Sequence, residues 1–140
     1  MTKQEVLAFI QKQNAVVVGS VDEDGWPNQK AMFPPRKAEG ENVFWLSTNT
    51  SSLHVKQFRA NPRASLYFFK REAVRCTGVM LKGSMEVLED EASKRALWRP
   101  GDVLYYPKGV TDPDYCVLRF TAACARVYRD LKKEDFTFGG

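Results

Sequence analysis

A chain of 140 residues, 44% of them hydrophobic, has the material for one domain around one buried core, and we expect a single domain over 1–140. Its formal net charge of +4, with 21 Lys and Arg interspersed among 17 Asp and Glu, is too mild and too dispersed to announce nucleic acid, and suits an anionic small molecule equally well. No apolar run approaches bilayer length, and the start MTKQEVLAFIQKQ interleaves charged with apolar residues, so we expect no membrane association, no export and a cytoplasmic location.

Along the chain, residues 2 to 13 carry helical spacing, with Val6, Leu7, Phe9 and Ile10 on one face. The period then changes to that of strands. NAVVVGSVD and NQKAMFP flank Asp24-Gly25, a pair suited to a hairpin, and Pro34-Pro35 stops the return strand. ENVFWLST reads as a third strand, expected to lie beside NQKAMFP in a meander. A short helix follows and closes at Asn61-Pro62, because the residue before proline resists helical backbone angles. RASLYFF and CTGVMLKGSMEVLE are further strands, with Gly78 and Gly83 marking bulges or close approaches. Asp90 is placed to cap a helix over EASKRALW. DVLYYPKGVTDPD is irregular, YCVLRFTAACARVYRD is a long strand bent near Thr121 to Ala123, and the tail LKKEDFTFGG has no clear period and is expected to be peripheral. Six or seven strands with short connections and about three short helices predict a mainly β protein, an antiparallel sheet wrapped into a small Greek-key barrel.

Cys76, Cys116 and Cys124 cannot all pair within one chain and form no CxxC, which suits a reducing compartment. With His54 the single histidine, no metal site is predicted. His54 would fall in the first turn of a helix, where the positive dipole end disfavours its protonation, and Asp112 and Asp114 around Pro113 read as turn chemistry. We assign no catalytic residue.

Ser47 to Ser52 holds five hydroxylated residues and Asn49 at a strand-to-helix junction. Two readings stand. Ser and Thr are good helix caps, and a cap accounts for one or two of them. Alternatively, a helix start with unpaired N–H groups, a positive dipole end and nearby hydroxyls can cradle a phosphate. In the second reading Lys30 reaches the same zone from its strand, and the backbone of Ala31, Met32 and Phe33 faces a planar ring. Most aromatic residues belong to the core, but Trp98, Tyr105 and Tyr106 are placed to wall a flat ligand.

FWLSTNTSSLHVKQFRANPRASLYFF, with the upstream VVVGSVDEDGWPNQKAMF and the later YYPKGVTDPDYCVLRFTAACARVYR, resembles the pyridoxamine 5′-phosphate oxidase-like flavin-binding split barrels over roughly Ala15 to Arg129. Among these it is most similar to the short general stress protein branch. The resemblance implies a split β-barrel, a homodimer, and FMN in grooves at the dimer interface. It aligns Lys30, Ala31, Met32 and Phe33 with the strand that supports the phosphate and runs along the isoalloxazine. Ser47 and Thr48 fall on the strand-end pair near the ribityl phosphate, and Ser52, Leu53 and His54 on a Ser-Arg-Lys phosphate clamp. Two cations of that clamp are thus Leu53 and His54 here, leaving Lys30, hydroxyls, backbone donors and Lys56 to balance a dianion. Each lost charge-assisted hydrogen bond costs about 1.5–3 kcal/mol.

The chain is shorter than the true pyridoxamine phosphate oxidases and has no counterpart of their C-terminal substrate-binding segment, so that reaction is not expected. The expected function is an FMN-binding flavoprotein, a reductase or oxidase of a small-molecule substrate with NAD(P)H as a candidate donor. The alternatives are a flavin-binding stress protein without turnover, and a single-stranded nucleic-acid-binding barrel, against which stands the lack of basic residues interleaved with aromatics on one strand face.

Overall fold

In the computed structural model, which describes residues 1–139, eight strands share one antiparallel sheet. They are β1 (Val16–Val21), β2 (Pro27–Met32), β3 (Lys37–Glu39), β4 (Val43–Asn49), β5 (Arg63–Arg71), β6 (Cys76–Leu88), β7 (Tyr115–Arg129) and β8 (Lys132–Thr137). Helix α1 (Lys3–Gln11) precedes them, α2 (Leu53–Ala60) joins β4 to β5, and α3 (Glu91–Leu97) with a 3₁₀ turn (Pro100–Leu104) fills the connection from β6 to β7. Hydrogen-bonded neighbours run β2-β1-β5-β6-β7-β4-β3, with β8 added to β7. Among the described residues no ladder joins β2 to β3 or β8, so the sheet curls without closing. This is a split barrel, mainly β, as predicted.

The details depart from expectation at two points. The strand count is eight, not six or seven, because β3 and the tail strand β8 were not legible as strands. β8 (KKEDFT) is polar on nearly every position, and its pairing follows from the two-residue turn Asp130-Leu131, both with positive φ (52° and 65°), which folds the chain straight back onto β7. Second, β2 does not lie beside β4. It pairs only with β1, Lys30 opposite Val18, while β4 pairs with β3 and β7. The two strands sit near opposite ends of the hydrogen-bonded order and meet only across the opening of the sheet.

β7 explains the curl. Its first half, Tyr115–Thr121, pairs with β4, its second half, Cys124–Arg129, pairs with β8, and β6 runs along its other edge from Val117 to Arg129. The register against β6 slips between Lys82 and Gly83, within the predicted bend. A Cβ at Gly83 would collide with the Thr121 carbonyl, so this crossing admits only glycine. Inward side chains of the strands, among them Val16, Val18, Leu46, Leu66, Phe68, Leu81, Leu118 and Phe120, form the main core with Val6 and Ile10 of α1 and Val55 and Phe58 of α2. A smaller cluster of Trp45, Leu97, Tyr115 and Val117 lies on the other face of β4 and β7 under α3. Thr2 and Glu5 form a capping box on α1, and Asp90 accepts from Ser93 N at 2.9 Å at the start of α3, as its position predicts. No helix of the described residues is long and apolar enough to cross a membrane.

Candidate functional site

The opening between β2 and the end of β4 is where chemistry collects. Val16 and Val18 are buried, so their partners Met32 and Lys30 stand on the inner side of the edge strand, with Ala31 turned outward between them. Across the gap lie the end of β4 and the first turn of α2. Together with the segment after the 3₁₀ turn they enclose a cavity of about 580 Å³. Lys30, Ala31, Met32, Phe33, Ser47, Thr48, His54, Tyr105 and Tyr106 line it, and so do Asn14, Arg36, Asn49, Asp102 and Asp114. A larger groove of about 830 Å³ crosses β1, β5 and β6 near Gly19, Ser65 and Gly83, but its lining is mostly small side chains and backbone. The smaller cavity brings together both carboxylates and cations, the single histidine and three aromatic side chains.

The hydroxyl-rich junction folds in a way that neither simple reading anticipates. Ser52 occupies the N-cap position of α2, yet its hydroxyl caps no helical N–H. Instead it meets His54 Nε2 at 3.1 Å, and Thr48 Oγ1 meets the same nitrogen at 2.9 Å. The turn before the helix is tied to the loop after the 3₁₀ turn: Thr50 N donates to the Asp114 carbonyl at 2.7 Å and Ser51 N to Asp114 Oδ1 at 2.8 Å. Ser47 Oγ and Thr50 Oγ1 are buried without a hydrogen-bond partner.

His54 is buried, and desolvation first, with the Lys30 ammonium second, pushes its pKa from 6.5 down to about 4. At neutral pH it is an uncharged imidazole. The cavity's other wall is set by Arg36, whose guanidinium grips Asp102 through two bonds of 2.6 and 2.8 Å and also donates to the Leu97 carbonyl at 3.0 Å. Asp102 also accepts from Arg99 N at 2.9 Å. Arg36 holds the Asp102 carboxyl below its usual range, and the pair fixes the turn that presents Tyr105 and Tyr106. Burial pushes the Tyr106 hydroxyl up to about 12, so it stays a neutral donor. Tyr105 is largely exposed and faces Phe33 with ring centroids 6.5 Å apart across the mouth.

Not every expected residue lines this cavity. Ser52 reaches it only through His54. Lys56 lies in a neighbouring groove with Asp22, Glu23 and Asp24, and Leu53 points into that groove too. Trp98 packs edge-on against Tyr115 at 5.1 Å, in the smaller core cluster. Arg36, Asp102 and Asp114 were not singled out as site residues. Asp114 carried a signal, as one of the carboxylates flanking Pro113, but its bond to Ser51 spans the fold. Arg36 and Asp102 lie 66 positions apart and no local pattern links them.

The arrangement is apolar and aromatic at one end, through Met32, Phe33, Tyr105 and Tyr106, and rich in neutral hydrogen-bonding groups at the other. The fold and this slot at its opening define the class, a split barrel with a cavity between its edge strand and the β4–α2 junction. The chain belongs to the pyridoxamine 5′-phosphate oxidase family, whose sequence model matches residues 2–128. Within the family it falls with the general stress protein 26 relatives. A solved protein related to general stress protein 26 of B. subtilis, from Clostridium acetobutylicum and of the pyridoxinephosphate oxidase family, is 40% identical, with a TM-score of 0.84 over 98% of this chain and 96% of that one. General stress protein 26 from Bacillus anthracis shares the fold at 18% identity and a TM-score of 0.73, over 97% and 98% of the two chains. A heme-binding protein from Mycobacterium smegmatis also shares it, at 18% identity and a TM-score of 0.77, over 96% of this chain and 57% of that one.

Proposed function

We propose that the cavity between β2, β4, α2 and the Tyr105-Tyr106 segment holds a flavin, FMN in the first instance, and that the protein is a flavin-dependent reductase or oxidase of a small molecule. The observation that carries this reading is the convergence of the Lys30–Phe33 strand, Ser47, Thr48 and His54 on one cavity with an aromatic wall opposite. These groups fit the ring and its chain: Ala31 to Phe33 offer an edge of backbone, Tyr105 and Tyr106 flank an apolar slot, and Thr48, Asn49 and His54 line the polar end. A bound flavin supplies two-electron redox chemistry that no side chain of this cavity provides. The chain's own part is to seat the ring, hold His54 and Tyr106 neutral, and keep water from the buried end. NAD(P)H is the proposed donor.

We further propose that the protein works as a cytoplasmic homodimer. On the outer face of β5, β6 and β7, Tyr67 and Phe69 stack at 6.0 Å beside Met80 and Tyr128, and Phe69 is 54% exposed. An apolar strip of this kind on a sheet face suits a second copy of the chain.

Titration with FMN, followed by flavin fluorescence and visible absorbance, tests the cofactor, and a protein that takes up no flavin overturns the reading. Steady-state NAD(P)H oxidation by the loaded protein then separates an enzyme from a flavin-carrying stress protein. That second reading is favoured by one observation, the absence of a charged group at position 54 of the phosphate end.

A further inference from the structure

Resting on the flavin reading above, we propose that the polar end of this cavity is matched to a neutral polyhydroxyl chain and not to a phosphate dianion, so that the site takes riboflavin and FMN with comparable affinity. The charges around the cavity carry the argument. Two cations line it, Lys30 and Arg36, and two carboxylates, Asp102 and Asp114. Arg36 is committed to Asp102 through both terminal nitrogens, which leaves little of its charge for a ligand. Lys30 is then the one lining cation, among the described residues, without a carboxylate partner.

Asp114 opposes it. Its carboxylate lies against the entrance of α2 and takes the Ser51 N–H, one residue before the N-cap. A dianion brought to this junction would meet a like charge there. The next two positions add nothing positive. Leu53 is 65% exposed and turned into the neighbouring groove, and the His54 nitrogen is engaged between the Thr48 and Ser52 hydroxyls.

What remains at this end is neutral and dense in hydrogen-bonding groups. The Thr48 hydroxyl, the imidazole of His54, and the amides of Asn14 and Asn49 can each both give and accept hydrogen bonds. Such a set pairs with successive hydroxyls of a sugar-alcohol chain, which likewise give and accept, whereas a dianion only accepts and asks for positive charge.

The test is a paired titration of the purified protein with riboflavin and with FMN at neutral pH, read by quenching of flavin fluorescence. We expect the two dissociation constants to lie within about tenfold of each other. FMN binding tighter than that by a wider margin overturns the inference and leaves the flavin reading standing. Binding of neither flavin overturns the flavin reading, and this inference with it. Asp114→Asn keeps the oxygen that accepts from Ser51 N and removes the charge. It should shift the ratio of the two dissociation constants toward FMN by about threefold or more, and an unchanged ratio overturns the role given to Asp114.

Discussion

His54 shows how one residue is decided by its surroundings. Its side chain is buried between the hydroxyls of Thr48 and Ser52, with the Phe58 ring 6.1 Å away and Lys30 across the cavity. Its folded pKa of about 4 lies below the ordinary value of 6.5, so between these values the unfolded chain binds more protons than the folded one. The resulting stability is fully present above pH 6.5 and is lost as pH falls toward 4, amounting at most to about 3 kcal/mol. Urea denaturation of wild type and His54→Gln across that window should therefore converge as the pH drops, since Gln can still meet the two hydroxyls but does not titrate. Parallel curves would show that His54 is not the titrating group. The sequence places both Leu53 and His54 in the first turn of α2. Which of them faces the cavity depends on the rotation of the helix, set by burial of Val55 and Phe58 beneath it.

At the scale of elements, the cavity's aromatic wall depends on a tie between two segments with no regular structure in common. Arg36 follows Pro34-Pro35, and Asp102 sits in the 3₁₀ turn. Their side chains are only 15% and 7% exposed, and the two pKa directions agree, Asp102 lowered and Arg36 raised. Removing one partner of a buried pair leaves the other uncompensated. Arg36→Gln should cost about 3 kcal/mol in urea denaturation and raise amide exchange in the turn that presents Tyr105 and Tyr106. The exposed pair Arg95–Glu91 on α3 offers the contrast, and Arg95→Ala should cost less than about 0.5 kcal/mol. A small loss for Arg36→Gln as well would mean that the wall is held by packing of Tyr106 against Trp98 and Tyr115. The helices were largely legible in the sequence, including the Asp90 cap, because caps and periodicity are local. The tie was not, because it exists only once the chain has folded.

For the whole molecule, the outer face of β5, β6 and β7 decides the assembly we propose. Gly78 on β6 leaves room for the Tyr67 ring, since a Cβ there would collide with the tyrosine hydroxyl, and Phe69 and Tyr128 flank the same spot. Sedimentation equilibrium should give twice the chain mass for wild type. Phe69→Glu places a charge in the strip and should shift the equilibrium toward a single chain. A monomeric wild type, or a variant as dimeric as wild type, would remove this face from the assembly.

Taken alone, the sequence determined the class of fold, most of the strands, the glycine crossing at Gly83 and the family, because alternation, turn residues and motif order are written locally along the chain. It misjudged the neighbours of β2 and did not show the strand in the tail. Strand pairing is chosen by the closure of a common core, and an edge strand such as β8, polar on both faces, carries no burial pattern to read. Only the tertiary structure decided that the Thr48 and Ser52 hydroxyls of STNTSS turn to His54 and not to the helix N–H groups, that Arg36 is committed to Asp102, and that Asp114 lies against the entrance of α2. These are long-range pairings of charge and hydrogen bond, and they set the electrostatics of the cavity.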